Sequence, residues 1–197
     1  MSTTKIVNQT LIYSGYNRYA AFDLKIPNLK KENQPILLNN REILETKDVV
    51  HVLIYAKEID SFVFCQQFRC GAFIGNQSED PFLIECIAGA IESGLSPEET
   101  AIKEVKEESN LTVDNLHFLF SGFSSPGVMT EKAYFYYATV VETPTPTIAG
   151  IACENEQILT HVIKRQDVYQ MMDKNQFADC KTLLALNWYR CFDKDTV

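Results

Sequence analysis

Long hydrophobic runs are missing from this sequence. No stretch of about 18 or more apolar residues occurs, which excludes a membrane-spanning helix. The opening MSTTKIVNQTLIYSG lacks the basic start and apolar centre of a secretory leader, so a cytoplasmic protein is expected. Glycine and proline are scarce, at 8 and 7, and thicken only between Thr143 and Gly150. That argues against two large domains joined by a long linker. Positive charge is in deficit as well: 18 Lys and Arg stand against 26 Asp and Glu, a net charge of -8. A nucleic-acid backbone is therefore not the expected partner, because such binding relies on a basic surface that displaces counterions. The six cysteines form no C-x-x-C pair and read as reduced thiols, mostly in the core. His51, His117 and His161 each stand alone among apolar neighbours, which argues against a zinc site. What is present, 46% hydrophobic and 22% charged residues over 197 positions, describes one globular domain with a modest N-terminal appendage.

Leu11 to Tyr13, Tyr19 to Ile26 and Arg41 to Leu44 read as short strands of a small separate sheet. Val49 to Tyr55 and Ser61 to Phe68 are two β-rich runs around the polar Ala56 to Asp60, a hairpin pattern. After a polar insertion at Gly75 to Asp80 comes a strand over Phe82 to Ile87. Further strands are expected at Leu116 to Phe120, Ala133 to Val141 and Ile158 to Ile163, then helices over Asp167 to Asp173 and Cys180 to Cys191. Between them Pro97 to Ser109 has a helical pattern: Ser96 can cap it, Pro97 suits its first turn, and Glu99 completes a capping box. Ala101 and Val105 give that helix its apolar side, and Asn110 tolerates the left-handed conformation that ends helices. Strands and helices mix without regular βαβ alternation. The expected class is α+β, a mixed sheet between helices with a small N-terminal antiparallel sheet.

The helix carries the informative chemistry. Glu104, Glu107 and Glu108 lie at i, i+3 and i+4, so three carboxylates share one face. Each like-charge pair costs roughly 0.2–0.5 kcal/mol, and the macrodipole adds to that near the helix C-terminus. Two readings stay open at this point. The face is a solvated acidic surface compensated by Lys103 and Lys106, or it holds a divalent cation, for which oxygen-only ligands select Mg²⁺ or Mn²⁺.

The segment Gly89 to Leu111 resembles the signature box of the Nudix hydrolases. Gly89, Glu104, Val105, Glu107, Glu108 and Leu111 match that pattern, while Leu95 stands for its first Glu, Lys103 for its Arg and Asn110 for its second Gly. Lys cannot reproduce the planar fork of an Arg, so the departures bear on how firmly the helix is oriented. The likeness runs from about Tyr13 to Tyr189 and points to the subgroup acting on ADP-ribose and other nucleoside diphosphate sugars. IECIAGAIE leads into the box, QQFR (Gln66 to Arg69) precedes it, and SSPGVMTEK (Ser124 to Lys132), GIACENEQI (Gly150 to Ile158) and KTLLALNWY (Lys181 to Tyr189) follow in the subgroup's order. The resemblance implies the Nudix fold, with an N-terminal β subdomain over residues 1–45 and a hydrolase domain over 46–197.

It also implies roles. Glu104, Glu107, Glu108 and the carbonyl of Ala88 hold Mg²⁺, with Mn²⁺ as a substitute. Glu154 is the first choice and Glu156 the second for the general base, next to Cys153 where relatives have Asp. Arg69 and Arg41 meet phosphate or ribose phosphate, Glu131 holds the terminal sugar, Tyr16 stacks on adenine, and Glu92 supports the site from behind. The implied reaction is hydrolysis of ADP-ribose to AMP and ribose 5-phosphate. GDP-mannose or a UDP-sugar is the alternative substrate, and a degenerate domain that binds a nucleotide sugar without turnover is the rival class. Relatives of this subgroup are homodimers whose N-terminal sheet completes the partner's site, so a homodimer is expected.

Overall fold

The computed structural model describes residues 3–31, 34–76, 80–149 and 157–192. Strands β1 (Lys5–Ser14), β2 (Arg18–Ile26) and β3 (Ile36–Glu45) make an antiparallel sheet in that order. Its register shifts between Phe22 and Leu24, where Asp23 accepts the N–H of Asn40 at 2.9 Å. Asn40 itself takes φ 51, a left-handed value that Asn tolerates.

The larger sheet is built from β4 (Val49–Ala56), β5 (Ser61–Phe68), β6 (Phe82–Glu85), β7 (Ile87–Ala90), β8 (Val113–Phe123), β9 (Lys132–Val140), β10 (Ile148–Ala149) and β11 (Ile158–Lys164). Its main path runs β10-β11-β5-β4-β9-β8, with β6 on β5 and β7 on β4. Helices α1 (Cys70–Gly75), α2 (Pro97–Ser109), α3 (Arg165–Asp173) and α4 (Cys180–Phe192) complete the fold. The class is α+β with a mixed sheet and a small antiparallel one, as the sequence led us to expect.

By its contacts the chain divides into two compact units, Met1–Asp48 with Gly122–Ala133, and Val49–Ser121 with Tyr134–Val197. In the first, the β8–β9 loop is tied to the end of β3. Leu44 N–H donates to the Val128 carbonyl at 2.9 Å, Thr130 N–H to the Leu44 carbonyl at 3.1 Å, and Thr46 N–H to Thr130 Oγ1 at 2.9 Å.

In the second unit, β4 alternates between two covered faces. Val50, Val52 and Ile54 join Ala101 and Val105 of α2, with Ile87 and Tyr136, in one buried cluster. On the other face Tyr55 packs against Tyr189 of α4, with ring centroids 5.2 Å apart. The sheet is thus sandwiched, with α2 on one side and α4 on the other.

Strands β1 and β3 are longer than expected, β10 was not expected, and two further differences bear on the site. The single strand expected over Phe82 to Ile87 is two: β6 pairs with the far half of β5, whereas β7 pairs with the near half of β4, and the chain changes partner at Cys86. A short helix, α1, fills the stretch before the polar insertion, where no element was expected.

Candidate active site

Helix α2 forms as its sequence dictates. Ser96 Oγ accepts from Glu99 N–H at 3.2 Å, Glu99 Oε2 accepts from Ser96 N–H at 2.8 Å, and Asn110 ends the helix at φ 57. Burying Ala101 and Val105 fixes the helix rotation and turns its carboxylates toward β7.

Two of the three carboxylates converge on adjacent residues of β7, Ala88 and Gly89. Glu108, only 6% exposed, accepts from Ala88 N–H through Oε2 at 3.2 Å. Glu104 lies so close over Gly89 that a Cβ built there would fall inside its carboxylate. With the Glu104 carboxylate in this place only glycine leaves room, and a larger residue would have to displace it, which gives the first Gly of the box a steric reason. The Glu108 charge is also felt nearby: after burial itself, it is the next cause pushing the Cys65 thiol up.

The third carboxylate faces elsewhere. Glu107 Oε2 accepts from Lys103 Nζ at 2.8 Å, and the same ammonium reaches Glu92 Oε1 at 3.1 Å. These bonds, Glu107 first, raise the Lys103 pKa above its ordinary value. Lys103 therefore occupies the position of the family's Arg and finds partners there, and Glu92 is one of them.

Arg69 stands at the end of β5 and aims at Glu85 of β6. Its Nε and Nη2 both reach Glu85 Oε2, at 2.8 and 2.7 Å, with the Arg side chain 41% exposed and that of Glu85 only 7%. Burial raises the Glu85 carboxyl above its ordinary range although Arg69 opposes that shift.

Arg41, Tyr16 and Glu131 belong to the other unit. Arg41 is exposed on β3 opposite Phe22, and Tyr16 is exposed in the β1–β2 turn. Glu131 accepts the hydroxyl of Ser124 and its carbonyl accepts Ser124 N–H at 3.1 Å, which closes the Ser-Pro-Gly loop at its base. Glu154 and Glu156, with Cys153, lie outside the described residues.

The donors gathered on Ala88–Gly89 are all oxygens, the kind that suits a hard divalent cation, and the glycine gap admits a carboxylate beside the peptide. Among the described residues no set of three or more His, Cys, Asp or Glu side chains is already drawn around one point, in keeping with Glu107 being turned to Lys103. No helix among the described residues is long and apolar enough to cross a membrane.

Known proteins place this glycine and its Glu-x-x-Glu-Glu helix in a family. The model of the NUDIX domain family matches residues 45–179, so the chain belongs to the Nudix family and is a Nudix hydrolase. Members of that family use divalent metal ions. The chain is 34% identical to an ADP-ribose pyrophosphatase of Haemophilus influenzae over 149 residues, 75% of this chain and 69% of that one. It is 29% identical over 158 residues to a GDP-mannose pyrophosphatase of Pectobacterium atrosepticum, 80% of each. A crystal structure described as an ADP compounds hydrolase superposes with a TM-score of 0.73 at 17% identity, covering 100% of this chain and 98% of that one, which bears on the fold alone.

Proposed function

We propose that the protein hydrolyses the diphosphate bond of ADP-ribose, giving AMP and ribose 5-phosphate, with Mg²⁺ as cofactor. The observation that carries this reading is the convergence of Glu104 and Glu108 on the Ala88–Gly89 peptide. Glu104, Glu108 and the Ala88 carbonyl would hold the cation, joined by Glu107 once it leaves Lys103. Mn²⁺ suits the same oxygen donors. When bound, the metal supplies positive charge to the phosphoryl oxygens and lowers the pKa of water.

The chain's own residues supply the rest. Arg69 presents a forked cation to an anionic substrate while Glu85 fixes its direction. Glu154, or failing that Glu156, takes the proton from the attacking water, a role carried by the family resemblance. Arg41 and Tyr16 receive the phosphate and adenine, and Glu131 the terminal ribose, on the same ground. Residues 1–45 then serve as a substrate-binding and dimerising subdomain, and residues 46–197 as the hydrolase domain. Exposed apolar side chains on the small sheet, including Ile6, Leu11, Ile12 and Leu37, favour the homodimer. Unpaired Cys65, Cys70, Cys86, Cys180 and Cys191 favour the cytoplasm.

The test is release of AMP from ADP-ribose in Mg²⁺, alongside GDP-mannose and a UDP-sugar. Turnover abolished by chelation and lowered at least about a hundredfold in Glu108→Gln is the expected result. Preference for GDP-mannose would move the substrate within the class, a reading favoured by the relative of that name. Tight binding of a nucleotide sugar with no turnover would replace the enzyme by a sensor.

A further inference from the structure

The peptide that receives Glu108 begins two residues after a place where the sheet has no ladder bond to offer. At Cys86 the chain leaves β5 for β4, so its backbone groups have no regular strand partner, yet the residue is fully buried. A buried N–H left unpaired costs about 1–3 kcal/mol, so the crossing needs partners from elsewhere. They come from helix α4 and from strand β5. Thr182 Oγ1, in the first turn of α4, accepts from Cys86 N–H at 2.9 Å. On the other side the Cys65 thiol lies 3.6 Å from the Glu85 carbonyl and 3.5 Å from the Cys86 carbonyl.

Thr182 is not loose either. Its hydroxyl donates to Asp179 Oδ2 at 2.7 Å, and its N–H donates to the same oxygen at 2.8 Å. With the proton committed to Asp179, the hydroxyl can only accept from Cys86, so the direction of each bond in the chain Cys86–Thr182–Asp179 is determined. Burial works to raise the Asp179 carboxyl, but Lys181 and the two Thr182 donors bring it below its ordinary range, so it is an acceptor at neutral pH. Cys86 and Thr182 are fully buried and Asp179 is 8% exposed, so water does not compete freely for these bonds.

We propose that Thr182, oriented by Asp179, is a positioning residue for the metal-binding peptide: it fixes the β6–β7 crossing and thereby the Ala88–Gly89 backbone on which Glu104 and Glu108 converge. Helix α4 thus does more than cover the sheet. One of its side chains sets the backbone on the opposite side of the crossing from α2. This rests on the reading of Ala88 as a metal ligand.

The experiment compares wild type with Thr182→Val, Thr182→Ser, Asp179→Asn and Glu108→Gln. Mn²⁺ binding is followed by electron paramagnetic resonance, backbone amide exchange over Cys86 to Gly89 by mass spectrometry, and turnover of ADP-ribose per folded molecule. Valine keeps the volume of Thr182 and removes its hydroxyl. It should weaken Mn²⁺ binding about tenfold, as loss of a group behind a ligand does, speed exchange at the crossing, and lower kcat more than it raises KM. Serine restores the hydroxyl and should return all three readings to within about twofold of wild type. Should the valine variant not fold, Asp179→Asn decides by the same measurement, with Mn²⁺ affinity expected to fall at least about threefold. Unchanged Mn²⁺ affinity and exchange in the folded valine variant, or in Asp179→Asn if valine fails, overturns the proposal, as does a serine variant no better than valine. Wild type and Glu108→Gln that bind Mn²⁺ equally would sink the metal reading instead, and this proposal with it.

Discussion

Lys103 joins Glu92, before α2, to Glu107, in the last turn of the helix, through one ammonium at 3.1 and 2.8 Å. The family's Arg and first Glu are replaced here by Lys103 and Leu95, and Lys103 has taken a different acid as its partner. An ammonium is a point charge without a planar fork, so it holds Glu107 by distance more than by direction. Restoring Leu95→Glu and Lys103→Arg together should raise kcat/KM by more than the product of the single effects. A double-mutant cycle in which the two changes simply add, within about 0.3 kcal/mol, would show that they do not form an orienting pair.

Gly89 makes a sharper prediction because its constraint is steric. A methyl group there would displace the Glu104 carboxylate or push β7 away from α2. Gly89→Ala should lower turnover at least about tenfold and raise the Mg²⁺ concentration needed for half-maximal rate, since misplacing a metal ligand weakens binding by that order. Unchanged metal dependence would mean that Glu104 can move without cost.

These two residues also mark how far the sequence was legible. Local signals were enough for α2: Ser96, Pro97 and Glu99 specify its start and Asn110 its end, and the spacing of Ala101 and Val105 turns the glutamates to one face. The strands β4 and β5 were legible for the same reason, as runs of β-formers with a polar turn between them. The break at Cys86 was not, because a change of strand partner leaves no composition signal within the run itself. Helix α1 spans only six residues, too few to show periodicity, and none of them is buried. The bond from Cys86 to Thr182 spans 96 positions of sequence, and no pattern within either segment announces it. In the site, the resemblance supplied the names of the glutamates; the i,i+4 spacing already paired Lys103 with Glu107, but that the same ammonium also reaches Glu92, eleven positions away, no spacing announced.

The Arg69–Glu85 pair should behave as a partly buried ion pair. Its acid is 7% exposed, so removing the cation leaves a carboxyl in poor solvent. Arg69→Met should cost about 1–2 kcal/mol of unfolding free energy, between the values for exposed and buried pairs because the cation is part-exposed, and adding Glu85→Gln should recover more than half of it. Urea denaturation of the three variants reads both numbers. A double variant as unstable as Arg69→Met alone would mean that the Arg contributes through packing and not by neutralising Glu85.

His51 carries a different liability. It is 5% exposed, stacks on Phe135 with centroids 5.3 Å apart, and neither ring nitrogen has a hydrogen-bond partner among the described residues. Burial first, then the Lys181 charge, lowers its pKa to about 3, while Asp179 acts in the opposite sense. In the unfolded chain the imidazole binds a proton near its ordinary value of about 6.5. Above that pH both states are neutral and the full stability is present; as pH falls toward about 3 the unfolded state takes up the proton first, and stability is lost. The slope from this one group is at most about 1.4 kcal/mol per pH unit. Chemical denaturation between about pH 7.5 and about pH 5 covers a window in which most exposed carboxylates stay charged, and His161, whose pKa burial also lowers, contributes equally to wild type and variant, so the difference between them reads His51. His51→Leu should flatten the curve there and leave the protein at least as stable as wild type at the acid end. An identical slope in the variant would assign the acid sensitivity to the carboxylates and leave His51 with a proton acceptor in the folded state.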